Sequence, residues 1–504
     1  MNVVFDWPLA SCAIWLPIAA GLLVLALSPV GASFARGVAL AGAVLGVLVT
    51  VPLYAGFDTT TASMQFVESR PWIPLFNSAY ALGVDGISLP FVILNSVITL
   101  VVVITSGGRA GARPAQYDAA FLLMSGLMNG IFCALDGMLF YVFFEASLIP
   151  LYLIIGVWGG PNRVRAAYRF ILFTLAGSLL LLVAFIALFL IAGGSFSIAD
   201  WHRVSIDEAT QTWIFLAFLA AFGVKLPMWP LHTWLPEAHV EAPTGGSIVL
   251  AAIALKLGAY GFLRFSLPIV PDAARALSWL VVALSLVAVV YIGLVALAQT
   301  DMKKLVAYSS IAHMGFVTLG AFAALDAGVT FDRTLGVIGA LIQMVSHGIV
   351  AAAMFYCIGA LYDRTHSRQI ADYGGVVRVM PKFSAFFLLF SMANIGMPGT
   401  SSFVGEVLVI FAALEYNFWV ALAAALTLVV GAAYTLRMYQ RVIFGEVTNP
   451  ALSDVRDVDR REFAVLSLLA LGTLAIGLYP QPLIDVLRVS VDELLRHASA
   501  AKFF

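Results

Sequence analysis

The stretch FILFTLAGSLLLLVAFIALFLIAGGSFSIA, residues 170–199, contains no Asp, Glu, Lys or Arg. A helix needs about 20 predominantly apolar residues to cross the hydrocarbon core of a bilayer. The run is long enough, and its apolar residues are continuous rather than alternating. It therefore reads as a membrane helix and not as a barrel strand. The same signature recurs at 7–35, 37–57, 86–108, 276–300, 416–436 and 463–484. The composition agrees: of 504 residues only 11% are charged, 62% are hydrophobic, and the mean hydropathy is +0.99. An ordinary soluble domain is about 25% charged. Disorder is excluded too, since it needs low hydrophobicity and high charge. The fold class is an all-α polytopic membrane protein.

The net charge of −1 offers no basic face to nucleic acid. Cys12, Cys133 and Cys357 each lie in apolar runs, with no CxxC or Cys/His spacing, so neither a metal cluster nor a disulfide framework is expected. The first basic residue is Arg36, so the N-terminus lacks the positive segment of a signal peptide and reads as a first membrane helix.

Extending the apolar pattern gives fourteen spans. They lie near 9–28, 36–56, 86–106, 117–134, 137–157, 166–192, 211–235, 243–266, 275–298, 303–324, 334–361, 383–414, 417–440 and 463–487. Loops after odd-numbered spans hold fifteen basic residues, among them Arg36, Arg109, Arg113, Lys303, Lys304 and Arg441, whereas loops on the other side hold four. Positive residues mark the cytoplasmic side, which predicts both termini on the outer side. The longest loop, about 57–85, alternates around Met64–Val67 and is expected to form a short hairpin on the outer surface. The charged segment 441–462 is expected on the inner face. No nucleotide-binding loop or catalytic triad pattern is present.

Four ionisable residues lie well inside spans: Glu145, Lys225, Lys256 and Glu406. A charge at mid-membrane costs about 2.5–3.5 kcal/mol on insertion scales, so such residues mark function by default. The structural reading is a set of ion pairs that fix helix packing. Four such sites in a chain with almost no other buried charge favour the functional one. Lys225 is followed by Pro227 and Pro230, and Glu406 is preceded by Gly396, Pro398 and Gly399. Broken helices at membrane depth persist only where buried in protein or lining a wet cavity.

The two breaks hold matching positions. Spans 4–8 form one five-helix unit and spans 9–13 another, with the broken helix fourth in each, spans 7 and 12. Five is odd, so consecutive units are inverted, as in secondary transporters. The chain divides accordingly into 1–116, a first repeat 117–266, a second repeat 267–444, and an inner loop, helix 14 and tail 445–504.

His313 and His347 lie mid-span among Ser309, Ser310, Gln343 and Ser346, which suggests a wet path. A histidine titrates near neutral pH and can relay a proton. His232 and His239, with Glu237 and Glu241, form either a proton uptake point or a polar loop. These residues suit proton movement rather than covalent chemistry. Desolvation penalises the charged form of a buried lysine, and a nearby carboxylate offsets that penalty. A small shift around Glu145 would then switch Lys225 between holding and releasing a proton, with Lys256 and His313 passing it toward Glu406.

FFEASLIPLYLIIGVWGG at 143–160, FGVKLPMWPLHTWLPEAHVEAPTGGSIVLAAIALKLGAYGF at 222–262, DMKKLVAYSSIAHMGF at 301–316 and NIGMPGTSSFVGE at 394–406 resemble a known family. It is that of the antiporter-like membrane subunits of proton-pumping NADH:quinone oxidoreductase, respiratory complex I. The resemblance covers nearly the whole chain. It implies that Glu145 and Lys225 act as a coupled pair, linked by Lys256 to Glu406. Glutamate on span 12 is the habit of the chain M, or subunit 4, members; chains L and N usually have lysine there.

The resemblance further implies no redox centre in this chain. NADH, FMN, iron–sulfur clusters and quinone would be handled by other subunits, with chains L and N as lateral neighbours. The length and composition suit the inner membrane of a bacterium. The alternatives are a subunit of a multisubunit sodium–proton antiporter, a membrane-bound hydrogenase complex, or a scaffold whose buried charges only pair.

Overall fold

The computed structural model describes residues 7–106, 113–326, 332–447, 449–452 and 455–502. Arg109 and residues 448, 453 and 454 of the inner segment lie outside them. The chain runs through helices α1 (Leu9–Leu27) and α2 (Ala32–Ala55), a hairpin of β1 (Gln65–Ile73) and β2 (Ser78–Val84), then α3 (Leu89–Thr105) and α4 (Pro114–Cys133). Next come α5 (Gly137–Ala146), α6 (Leu148–Trp158), α7 (Arg163–Ile191), α8 (Glu208–Lys225) and α9 (Trp234–Glu241). They are followed by α10 (Thr244–Ile269), α11 (Ser278–Leu297), α12 (Met302–Ala323) and α13 (Arg333–Thr365). The remainder is α14 (Pro381–Asn394), α15 (Ser401–Tyr416), α16 (Phe418–Ile443), α17 (Arg460–Leu478) and α18 (Gln481–Ser499).

Ten helices among the described residues are long and apolar enough to cross a membrane. The division between spans 4 and 5 is made by Asp136, whose carboxylate caps α5 by accepting from Leu139 N at 3.0 Å. The hairpin forms as expected but is longer, with β1 and β2 antiparallel and Glu68 opposite Leu82. The last span is shorter than its apolar run. Helix α17 stops at Leu478, because Pro480 cannot extend the hydrogen-bond ladder. The residues assigned to its end instead begin α18, an amphipathic helix that buries Val486, Leu487, Val491 and Leu494.

The chain forms two compact units. The first comprises residues 1–226, 253–278 and 484–504. Its outer part is tied by buried polar contacts: Arg264 pairs with Asp85 at 2.8 Å, and Gly86 N donates to Ser490 Oγ of α18 at 2.9 Å. Gly86 has to lack a side chain, since a Cβ there would overlap the Val486 carbonyl. The tail is anchored by Lys502, whose Nζ donates to the carbonyls of Trp201 and Ile269. Among the phenylalanines in its core, Phe140, Phe185, Phe218, Phe222 and Phe265 contact one another at edge-on, tilted or stacked angles.

The second unit comprises 227–252 and 279–483. Its centre is the packing of α12, α13 and α15, and small residues set the separation. A Cβ on Gly339 would meet Leu408 Cβ at 2.7 Å, one on Gly336 would meet Ala412 Cβ at 2.7 Å, and one on Gly405 would meet Gln343 N at 2.8 Å. In a bilayer, helix association rests on such close van der Waals approach and on polar contacts. A bidentate ion pair of Arg364 with the fully buried Glu462, at 3.0 and 2.7 Å, fixes α13 to the start of α17.

Candidate functional site: buried acids and bases within each unit

In the first unit α8 ends at Lys225, and Leu226 still bonds back to Phe222 at 2.8 Å. Pro227 and Pro230 remove the donors a further turn would need. Helix α10 comes very close at this point. A Cβ on Gly258 would meet Leu226 N and Phe222 O at 2.7 Å. Lys225 is therefore enclosed, with 3% of its surface exposed. Its ammonium lies over the Phe144 ring, 4.8 Å from the centroid. Such a contact stabilises a desolvated cation by about 2 kcal/mol. The neighbouring Glu145 is the carboxylate whose charge acts on Lys225. Glu145 sits one residue before the end of α5, where Ser147 turns the chain and donates its hydroxyl to Phe144 O. Glu145 Oε1 makes no hydrogen bond among the described residues.

Lys256 is completely buried on α10. Two π-helical turns, Leu250–Ala254 and Phe262–Ser266, flank it. Such turns are rare and are enriched at functional positions, since they rotate the residues beyond them. Glu145, Lys225 and Lys256 thus belong to one unit. The apolar pattern alone gave no sign of the π turns, which keep ordinary helical composition.

In the second unit the break between α14 and α15 holds Gly396 at φ +71° and Gly399 at φ +88°. Both angles lie in the left-handed region that favours glycine. The break brings Glu406 of α15, 1% exposed, against α12 and α13. Glu406 Oε1 lies 3.2 Å from His313 Nδ1 and accepts from Gln343 Nε2 at 3.1 Å. Gln343 Nε2 also lies 3.2 Å from His313 Nδ1. His347 follows Gln343 by one turn, and its ring centroid is 5.5 Å from that of His313. Ser346 donates to Ser401 Oγ at 2.6 Å and lies 2.9 Å from Ser402 Oγ, extending the polar strip along the broken helix. Glu406 Oε2, Gln343 Oε1 and His313 Nε2 have no hydrogen-bond partner among the described residues. Three buried polar atoms with spare capacity mark a place for water or for a transferred proton.

His313, His347 and Glu406 are therefore brought together, and Gln343, expected only as a polar neighbour, joins His313 to Glu406. The second cluster is of a different kind. His239 is buried and stacked flat on Phe355 at 4.5 Å. His232 and Glu241 are buried as well, while Glu237 is partly exposed. Lys303, counted above with the loop cations, is instead buried at the start of α12, with Nζ donating to Ala242 O at 2.5 Å. Glu241 is one of the carboxylates whose field acts on it. Its position beside a helix cap, Asp301, made it read as a loop residue.

In the second unit an acid and a base, Glu406 and His313, stand at contact distance and buried; in the first unit Lys225 stands over Phe144 within the field of Glu145. Among the described residues, no group of three or more His, Cys, Asp or Glu is placed to hold a metal.

Comparison with known proteins agrees with this chemistry. Residues 134–431 match the family model described as NADH:quinone oxidoreductase/Mrp antiporter, TM. The chain is 47% identical to NADH-quinone oxidoreductase subunit M of Rhodobacter capsulatus, covering 98% of this chain and 97% of that one. It is 41% identical to NADH-ubiquinone oxidoreductase chain 4 of Marchantia polymorpha, covering 96% of each. Its fold superimposes with a TM-score of 0.87 on a chain of respiratory complex I from Thermus thermophilus with bound NADH, at 31% identity and over 97% of this chain and all of that chain. The chain belongs to the NADH:quinone oxidoreductase/Mrp antiporter family of membrane proteins.

Proposed function

We propose that the chain is the chain M, or subunit 4, member of a proton-pumping NADH:quinone oxidoreductase and moves protons through its buried acids and bases. The observation that carries this reading is the enclosed triangle of His313, Gln343 and Glu406, in which an acid and a base share a contact of 3.2 Å. Lys225, held over Phe144 and within the field of Glu145, supplies the switchable charge of the first unit. At an effective dielectric of about 20, moving a carboxylate from ~4 to ~8 Å from an ammonium weakens their attraction by ~2 kcal/mol. A small displacement of Glu145 then decides whether Lys225 keeps its proton. Lys256 passes the proton on, and His313, His347 and Glu406 deliver it. His232, His239, Glu237 and Glu241 serve proton uptake, with Lys303 beside them.

Residues 117–266 and 267–444 act as inverted repeats. NADH, FMN, iron–sulfur clusters and quinone are handled by other subunits, with chains L and N on either side. The chain sits in a bacterial inner membrane with both termini outside.

The test is the complex carrying Lys225→Ala, reconstituted in vesicles. NADH oxidation should acidify the lumen with the wild-type complex, and the variant should assemble yet move protons at least ten-fold more slowly. Wild-type pumping by an assembled variant would refute the role of Lys225. Sodium-dependent exchange without NADH would place the chain in an antiporter instead.

A further inference from the structure

We propose that the chain carries a binding site for the phosphate of an anionic phospholipid, separate from the buried acids and bases. The site is a cavity of about 170 Å³ in the second unit. It is walled by the end of α11 and the turn Ala298–Thr300, by Leu305 at the start of α12, and by Arg437, Met438 and Arg441 near the end of α16. One helix starts at this cavity and two end there, so it lies at a membrane boundary. The basic loop residues place that boundary on the inner side.

Two features separate this cavity from an ordinary gap. Arg437 and Arg441 are four residues apart on one helix, so they share a face of it, and both line the cavity. Among the described residues neither makes a hydrogen bond or an ion pair. Two other arginines near span ends do have carboxylate partners: Arg36 pairs with Asp118 at 2.7 Å and Arg364 with Glu462 at 2.7 Å. Two unmatched arginines that line one cavity with Thr300 offer ten N–H donors between them, which is complementary to a phosphate group. A basic pocket between membrane helices on the cytoplasmic side is the setting in which anionic headgroups bind.

The surroundings favour a lipid over free phosphate. Gly293 packs against Val430, which brings α11 and α16 together. Exposed Tyr291 and Leu294 on α11 and exposed Val429 on α16 present apolar surface for acyl chains on the helices that wall the cavity. Arginine near a helix C-terminus also complements the helix dipole. That role needs no ligand, and the experiment separates the two.

The intact complex is placed in phosphatidylcholine vesicles with a trace of photoactivatable phosphatidylglycerol, and crosslinks are mapped by mass spectrometry. Crosslinks to α11 and α16 around this cavity should exceed those from a photoactivatable phosphatidylcholine by at least ten-fold. Arg437→Gln with Arg441→Gln should weaken the apparent affinity about 30-fold, which corresponds to about 2 kcal/mol, or about 1 kcal/mol per arginine. Lysine at both positions should restore most of it. Equal crosslinking by the two probes on the wild-type complex overturns the proposal, and that comparison needs no variant. An unchanged affinity in the double glutamine variant overturns it as well. Displacement of the lipid probe by millimolar inorganic phosphate would assign the site to free phosphate and overturn the lipid.

Discussion

Gly396→Ala isolates the position of one carboxylate. At φ +71° an alanine costs about 1–2 kcal/mol more than glycine. A Cβ at this position would also overlap Glu406 Oε2, so the carboxylate has to move. If it withdraws from 3.2 Å to ~5 Å from His313 Nδ1, the attraction between carboxylate and imidazolium falls by ~2 kcal/mol at an effective dielectric of ~20. That is roughly a thirty-fold change in the equilibrium between them. Gly399→Ala is the control. Its φ of +88° imposes a similar backbone penalty, yet the nearest atom to its Cβ is Leu478 Cδ2 at 3.7 Å. The two variants should lower the unfolding temperature of the assembled complex to a similar extent. Only Gly396→Ala should slow NADH-driven proton movement per assembled complex, by about an order of magnitude. Equal pumping by the two variants would refute the claim that the geometry around Glu406 sets the rate.

Three further outcomes are expected. Glu462→Gln leaves Arg364 without its buried partner and should destabilise the chain by about 3–5 kcal/mol, read as lower abundance and earlier thermal unfolding, with activity per assembled complex retained. Phe144→Leu removes the ring beneath Lys225 and should slow pumping by up to ten-fold while leaving assembly intact. His202, in the loop before α8, has its pKa driven down to about 3, chiefly by burial and then by the charge of His497. Between about pH 3 and the ordinary histidine value of 6.5, the unfolded chain binds a proton that the folded chain refuses. Stability should therefore fall as pH drops below 6.5, and His202→Gln should flatten that slope in thermal unfolding of the detergent-solubilised complex.

The fold was legible because charge is scarce. Runs such as 170–199 place helices by length alone, and Asp136 marks the turn between α4 and α5 in a single residue. The breaks at Pro227–Pro230 and Gly396–Gly399 were equally readable, because proline and glycine change the backbone itself. Three things were hidden. The π turns around Lys256 carry no compositional mark. The end of α17 at Leu478 was masked by apolar residues that continue into α18, where period rather than content changes. Lys303 looked like a loop cation because a lysine's sequence neighbours do not reveal that its ammonium is capped by the carbonyl of Ala242.

In the site, Glu406 and His313 could be named from their burial, but not their contact. That contact depends on Gly339 and Gly405, whose missing side chains let α13 and α15 meet and aim Gln343 at both partners. A single sequence contains those glycines without saying which helix they face.

The most direct test of the central claim is the rate of NADH-driven proton movement by an assembled complex carrying Glu406→Gln. The amide keeps the shape of the side chain and its bond to Gln343, but it cannot accept and release a proton near neutral pH. Normal assembly and proton movement reduced at least ten-fold are expected. Wild-type proton movement in a fully assembled Glu406→Gln complex would contradict it.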